Sequence, residues 1–251
     1  MIILTYHNVD AAPAGVGQPW LYVSPEAFAE QMRLLDKLGF RGVSVTEGLR
    51  LLHSGQADRS VIITFDDGYV DNLIHAAPAL ARHGFSATCY VVSGSVGSYN
   101  AWDADALGAK KPLMDRAQLG AWLDHGMEIG SHSRSHCRLD LLPPAAAREE
   151  ISVSRDQLRS ITGREIEHFC YPYGGFNETT ATLAREAGYK SAVTTMPGRA
   201  RSANDLHTLP RIAPRGDESN WIFALQSVVP GGWFLNHSMG RVRRRLASLA
   251  S

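Results

Sequence analysis

Ile62-Ile63-Thr64-Phe65-Asp66-Asp67-Gly68-Tyr69 is an apolar run that stops abruptly on two adjacent carboxylates and a glycine. Paired acids at the end of a buried strand are costly to place unless something cationic meets them. The run therefore predicts a strand over residues 59–65 that opens into a polar cavity. Side chains alternate between the faces of a strand, so Asp66 and Asp67 reach one cavity only if the strand ends there, which Gly68 permits. One carboxylate can then bind an ion while the other stands beside a bound water. The pair alone leaves a plainer alternative open, in which one acid caps the next helix and the other meets a surface arginine.

Partners for such an ion follow in Ser131-His132-Ser133-Arg134-Ser135-His136. Two imidazoles and one carboxylate are a common zinc set for an ion that also holds a water. Four residues apart, His132 and His136 are expected on one side of a helical turn, roughly 6 Å from each other. Cys137 is then turned away and reads as packing. Two histidines at this spacing also occur in ordinary cores, but next to the acidic pair they predict a divalent metal site and a metal-dependent hydrolase. Tyr171-Pro172-Tyr173-Gly174-Gly175 is a rigid turn followed by permissive glycines. Its amides can be directed at an oxyanion and Tyr173 can wall a pocket, although such turns also serve simply as architecture.

The rest of the chain supplies a frame. Strands are expected over 2–6, 40–45, 86–92, 127–130, 166–170 and 189–194. Helices follow most of them. One starts at Ser24-Pro25 and carries Phe28, Met32, Leu35 and Leu38 on one face; another runs from Val70 towards Gly84, with Pro78 as a kink or early stop. Others are expected from Asp115, from Pro143-Pro144 to Gly163, and from Asn177 to Ala187, while residues 10–24 and 93–112 read as long loops. Beyond Thr195 the pattern weakens, with an additional strand over 209–213 and a helix over 219–228. This alternation without a linker or repeat argues for one α/β domain with a mostly parallel sheet. His7, Asp66-Asp67, His132 and Tyr173 all fall just after strands. Convergence from four strand ends favours a barrel over an open sheet. The division expected is a single catalytic domain over 1–235 and a basic C-terminal helix or tail over 236–251.

Bulk numbers narrow the class. Of 251 residues, 44% are hydrophobic, and 25 Lys plus Arg balance 25 Asp plus Glu. Zero net charge argues against a nucleic-acid binder and against strong steering towards an anionic polymer. The three cysteines make no disulfide framework. Met1 opens directly on an apolar segment without a signal-peptide pattern, and no stretch reaches the roughly 18 to 20 apolar residues of a membrane span. As written, the chain is expected in the cytoplasm, or exported if a leader has been removed.

Three motifs taken together, Thr64-Phe65-Asp66-Asp67-Gly68, His132-Ser133-Arg134-Ser135-His136 and Phe169-Cys170-Tyr171-Pro172-Tyr173-Gly174, resemble the polysaccharide deacetylase family (NodB homology domain, carbohydrate esterase family 4). The opening Leu4-Thr5-Tyr6-His7-Asn8-Val9 and the helix with Gln31-Met32 resemble its bacterial exopolysaccharide branch. The resemblance implies an irregular (β/α)7 barrel with the active site at the C-terminal ends of the strands. It implies Asp66 as base, Asp67, His132 and His136 as ligands of Zn2+ or another divalent transition metal, and the Tyr173 amide on the oxyanion. The implied substrate is an N- or O-acetylated sugar oligomer or polymer. Two departures stand out. Cys170 occupies the place of an arginine that orients the base in many members, and Arg211, in Leu209-Pro210-Arg211-Ile212, is the candidate replacement. The family's late general-acid histidine has a counterpart in Leu235-Asn236-His237, with His7 competing for the role. The rival readings are a hydrolase of a small cyclic amide on the same fold and a catalytically inactive carbohydrate-binding protein.

Overall fold

The computed structural model describes residues 1–214 together with Phe223. Apart from Phe223, the helix expected over 219–228 lies outside the described residues, as do His237 and the basic segment 236–251. Among the described residues seven strands are all parallel: β1 (Ile2–Tyr6), β2 (Arg41–Val43), β3 (Ser60–Phe65), β4 (Thr88–Val91), β5 (Glu128–Ser131), β6 (His168–Cys170) and β7 (Ser191–Val193). Their order is β1-β3-β4-β5-β6-β7. β2 pairs with Ser60–Ile62 and β4 with Thr64 and Phe65, so the two share one edge of β3.

The expected strand over 209–213 proves to be a closing strap. Leu209 exchanges backbone bonds with Ala192 and Thr194 on one side, at 3.0 and 2.9 Å. Ile212 bonds Ile3 and Thr5 of β1 on the other side, at 2.8 and 2.9 Å. Pro210 between them has no N–H to give a ladder, so the contact stays at one bridge per neighbour. The sheet curls and closes through this strap into an irregular (β/α) barrel.

Helices α1 (Pro25–Lys37), α2 (Val45–His53), α3 (Ala77–Ala81), α4 (Ala104–Leu107), α5 (Arg116–Asp124), α6 (Pro144–Thr162) and α7 (Glu178–Glu186) surround it. Their ends follow local chemistry. The Ser24 hydroxyl accepts from the Ala27 N–H ahead of Pro25, capping boxes at Asp115–Gln118 and Asn177–Thr180 open α5 and α7, and Gly163 closes α6 in the left-handed region. The break expected at Pro78 is a π-turn over Asn72–Ala76, which absorbs the register where Pro78 cannot donate back along the helix. The long loop 93–112 contains α4, a helix of one turn that the sequence pattern is too short to announce.

Strand alternation sorts the core. Ile2, Leu4 and Tyr6 of β1 and Val61, Ile63 and Phe65 of β3 pack outward with Phe28, Met32, Leu35, Leu80 and Trp122 from the helices. Each such fully buried side chain contributes about 1.5–3 kcal/mol. The opposite faces fill the barrel with Ile3, Ile62, Tyr90, Cys170 and Val193. Gly130 makes room for this plug, because a Cβ there would lie 2.5 Å from the Tyr90 ring. The plug separates two polar ends. Thr88, Glu128, His168 and Ser191 begin their strands at one end; Asp66, His132 and Tyr173 follow theirs at the other.

Candidate active site

At the C-terminal end of β3 the backbone changes hand. Asp67 takes φ 76° and Gly68 φ 87°, so the alternation breaks one residue earlier than Gly68 alone would allow. That turn brings both carboxylates to one cavity. Ser133 (φ 62°), His136 (φ 60°) and Tyr173 (φ 57°) share the left-handed conformation. Four of the five non-glycine residues with positive φ among the described residues thus line this one end. Such backbone costs of order 1–3 kcal/mol per residue and concentrates where a site needs it.

The helical reading of the His132 and His136 spacing is overturned here. Residues 132–136 form no helix; His132 leaves the end of β5 and the loop then turns through Ser133 and His136. The His136 N–H donates to the Ser133 hydroxyl at 3.0 Å and tightens that turn. The two imidazoles still meet one carboxylate. His132 Nε2 lies 3.5 Å and His136 Nε2 3.2 Å from Asp67 Oδ1.

His132 carries its other ring nitrogen 2.8 Å from the Cys170 carbonyl oxygen, an acceptor only. Nδ1 is therefore the protonated nitrogen, and Nε2 turns a lone pair towards Asp67. Burial, reinforced by the neighbouring His136, pushes the His132 pKa down to about 4, which keeps the ring neutral. Burial opposes ionisation of Asp67 as well, but His136 more than offsets it, and its carboxyl sits below the usual range. Asp67 Oδ1 is buried and accepts no hydrogen bond among the described residues. A carboxylate oxygen facing an imidazole lone pair, with no donor between them, fits a cation. Ligand bonds of about 2.0–2.1 Å at a tetrahedral ion put donor atoms about 3.3 Å apart, close to the separations seen.

A second set, Asp66, His132 and Cys170, is also close enough to hold an ion. Its electrostatics argue against it. Arg211, fully buried, donates from Nη1 to Asp66 Oδ1 and from Nη2 to Asp66 Oδ2, both at 2.7 Å. Arg211 Nη2 also lies 3.1 Å from the Cys170 sulfur. Burial pushes the Cys170 thiol well above its ordinary pKa, so giving up its proton to an ion costs more there. An ion here would share its carboxylate with a guanidinium; the Asp67 set has no such competitor among the described residues.

Arg211 sits on the barrel-closing strap, with Nε on the Thr194 carbonyl at 2.9 Å and Nη1 on the Thr64 hydroxyl at 3.1 Å. Burial alone would raise the Asp66 pKa, but the Arg211 guanidinium overrides it and holds the carboxyl far below the usual range. Asp66 is thus fixed as an anion; Oδ2 also accepts from the Thr5 hydroxyl at 3.4 Å and the Cys170 thiol at 3.6 Å, while Oδ1 meets Arg211 and keeps a lone pair.

His7 follows β1 and points its Nε2 to within 3.8 Å of Asp66 Oδ2. The Tyr173 ring meets the His136 ring edge-to-face at 4.6 Å and is half exposed, as a wall of the cavity mouth would be. Asp71, Asn72, Trp102 and Lys111 also belong to this end, and sequence reasoning passed over them. The Val9 N–H donates to Asp71 Oδ1 at 3.0 Å and Asn72 Nδ2 to the His7 carbonyl at 2.8 Å, which fixes the His7 loop. Lys111 pairs with Asp71 at 3.0 Å and with Asp10. The polar pair Asp71-Asn72, just where a helix interior should begin, was the available signal.

A family model described as polysaccharide deacetylase matches residues 53–192. The Bacillus subtilis protein YxkH is 28% identical over 212 residues, covering 84% of this chain and 70% of its own. The poly-beta-1,6-N-acetyl-D-glucosamine N-deacetylase of Staphylococcus aureus is 25% identical over 196 residues, covering 76% of this chain and 67% of its own. Among solved structures, the Streptococcus pyogenes deacetylase PplD in complex with acetate superposes with a TM-score of 0.77 at 27% identity, covering 92% of this chain and 98% of its own.

Proposed function

The chain belongs to the polysaccharide deacetylase family, and we propose on that premise that it hydrolyses N-acetyl groups, or O-acetyl groups, on a sugar polymer or oligomer with the aid of a divalent transition ion. Asp67, His132 and His136 would hold the ion, zinc being the first candidate. One observation carries the reading: the buried Asp67 Oδ1 has two imidazole nitrogens within 3.5 Å and no hydrogen bond among the described residues. A bound ion would supply Lewis-acid polarisation and a water of lowered pKa.

The chain's own groups account for the rest. Asp66, kept ionised by Arg211, accepts the proton of the attacking water. Arg211 also fixes the direction of that carboxylate, since two parallel bonds leave it no freedom to rotate. The Tyr173 backbone N–H, carried on the Pro172–Gly174 turn, is the candidate donor to the developing oxyanion, a contact worth roughly 3–4 kcal/mol in such sites. An amine leaves only when protonated, and His7, beside Asp66 and partly open to the cavity, is the candidate proton donor.

The test is acetate release from N-acetylglucosamine oligomers by chelator-stripped protein with and without added zinc. Release that requires zinc, and that Asp66→Asn abolishes while zinc content is kept, supports the reading. Tight zinc uptake with no turnover on any acylated sugar would leave a binding protein instead.

A further inference from the structure

The two histidines of the candidate metal cluster are held in different ways. His132 is fixed by the hydrogen bond from Nδ1 to the Cys170 carbonyl, at 2.8 Å. A metal-binding imidazole is normally oriented like this, through its second nitrogen. His136 Nδ1 is buried and has no hydrogen-bond partner among the described residues. Regular structure does not fix its backbone either, for His136 sits at φ 60° in a loop. Its ring nevertheless lies face to face with the Trp102 indole, with centroids 4.5 Å apart and planes 26° from parallel.

We propose that Trp102 is the positioning residue for His136, its indole face doing for that ring what the Cys170 carbonyl does for His132. The proposal rests on the ligand assignment made above. Trp102 is suited to the task because its own loop is braced. Asn100, fully buried, donates through Nδ2 to Asp103 Oδ1 at 3.0 Å and to the Ala109 carbonyl at 3.1 Å, and accepts from the Lys111 N–H at 2.7 Å. Lys111 is in turn paired with Asp71, in the helical turn after β3, and with Asp10, in the loop after β1. The indole Nε1 is buried and reaches no acceptor among the described residues, so a hydrogen bond through that nitrogen is not what holds the ring. Its flat face is what His136 uses. Tyr173, edge-on to the same imidazole at 4.6 Å, adds a second contact, and the ring is confined on both. A confined imidazole loses little freedom when it takes an ion; a loose one loses more, and affinity falls accordingly.

The experiment measures zinc affinity of the chelator-stripped full chain by competition with a chromophoric chelator, alongside the ligand-field spectrum of the cobalt-loaded protein. Trp102→Ala is expected to weaken zinc binding by about 10–100-fold, the usual effect of losing an outer partner of a metal ligand, and to alter the cobalt spectrum. Trp102→Phe restores a flat ring and most of the affinity; Trp102→Leu restores apolar bulk without a ring and does not. Trp20→Ala, at a half-exposed indole stacked on none of the described rings, leaves binding unchanged. Unaltered affinity and spectrum in folded Trp102→Ala, or Trp102→Leu matching Trp102→Phe, overturns the proposal while leaving the ligand set standing. Wild-type protein that takes up neither ion overturns the ligand set, and this proposal with it.

Discussion

The two ends of the barrel each bury a histidine beside a carboxylate, and only one looks like a place for chemistry. Where β4 to β7 begin, Glu128 meets the hydroxyls of Thr46 and Thr88, and His168 bonds Ser191 Oγ at 2.8 Å and Thr46 Oγ1 at 2.9 Å. Both nitrogens of His168 have partners, and none of these residues has positive φ. Where the strands finish, Asp67 Oδ1 and His136 Nδ1 have no hydrogen bond among the described residues and the backbone is strained four times over. Residue types alone do not separate the two clusters. What does is satisfaction: a closed network stabilises a barrel floor, whereas strain and unmet lone pairs are tolerated where a ligand completes the set. The comparison can be broken by showing that the two ends respond alike.

The largest contrast should come from zinc itself. Asp67→Asn is expected to lower zinc affinity by well over the 10–100-fold or so that an outer partner is worth, while Glu128→Gln leaves stoichiometry and affinity unchanged. Zinc analysis after dialysis decides it, and equal losses in the two variants would end the distinction. Next in size is Arg211→Met. It leaves the Asp66 carboxylate buried without its guanidinium, a loss of about 3–5 kcal/mol in urea denaturation, together with loss of acetate release. The double variant Asp66→Asn/Arg211→Met should recover much of the stability and none of the activity. Independent, additive losses would mean that the pair is not the coupled unit its 2.7 Å bonds imply.

Much of this geometry was legible in the sequence because it is encoded locally. An apolar run ending on Asp66-Asp67, the caps at Ser24, Asp115 and Asn177, and the alternation of elements all act over a few residues. The left-handed turns at Asp67, Ser133, His136 and Tyr173 were not legible, since no glycine or asparagine announces them; tertiary packing imposes them. For the same reason the His132 and His136 spacing gave a helical turn where the chain makes a loop. The strap carrying Arg211 takes its place only through β1 and β7, 145 residues of separation lying between Arg211 and Asp66. Trp102 was one aromatic among many, and nothing in its neighbours says that it faces an imidazole. Glu128 and His168, 40 positions apart on strands not yet aligned, gave no hint of a second cluster.

Smaller effects sharpen the contrast from the closed end. His168→Gln removes a ring whose two nitrogens are both bonded and should cost about 1–3 kcal/mol in stability, with kcat for acetate release and zinc affinity as in wild type. A fall in kcat with no change in stability would instead place this network in the catalytic path.

The smallest predicted effect concerns pH, and its sign follows from burial. Burial lowers the His168 pKa, against the raising influence of Glu128 and Glu167, while Lys190 adds to the lowering. The folded chain therefore keeps this imidazole neutral below the pH of about 6.5 at which an unfolded one takes up a proton. In that window the unfolded state binds the extra proton, so the contribution is fully present above about pH 6.5 and is lost as pH falls towards the depressed folded value. Each unit of depression is worth about 1.4 kcal/mol at most. Urea midpoints of ion-stripped wild type and His168→Gln at pH 7.5, 6.5 and 5.5 isolate it, because every other titrating group is common to both chains. The wild-type midpoint should fall more steeply between pH 6.5 and 5.5. Parallel falls would mean that Glu128 stabilises the imidazolium as well as the barrel stabilises the imidazole, and the floor of the barrel would then be a charged pair rather than a neutral network.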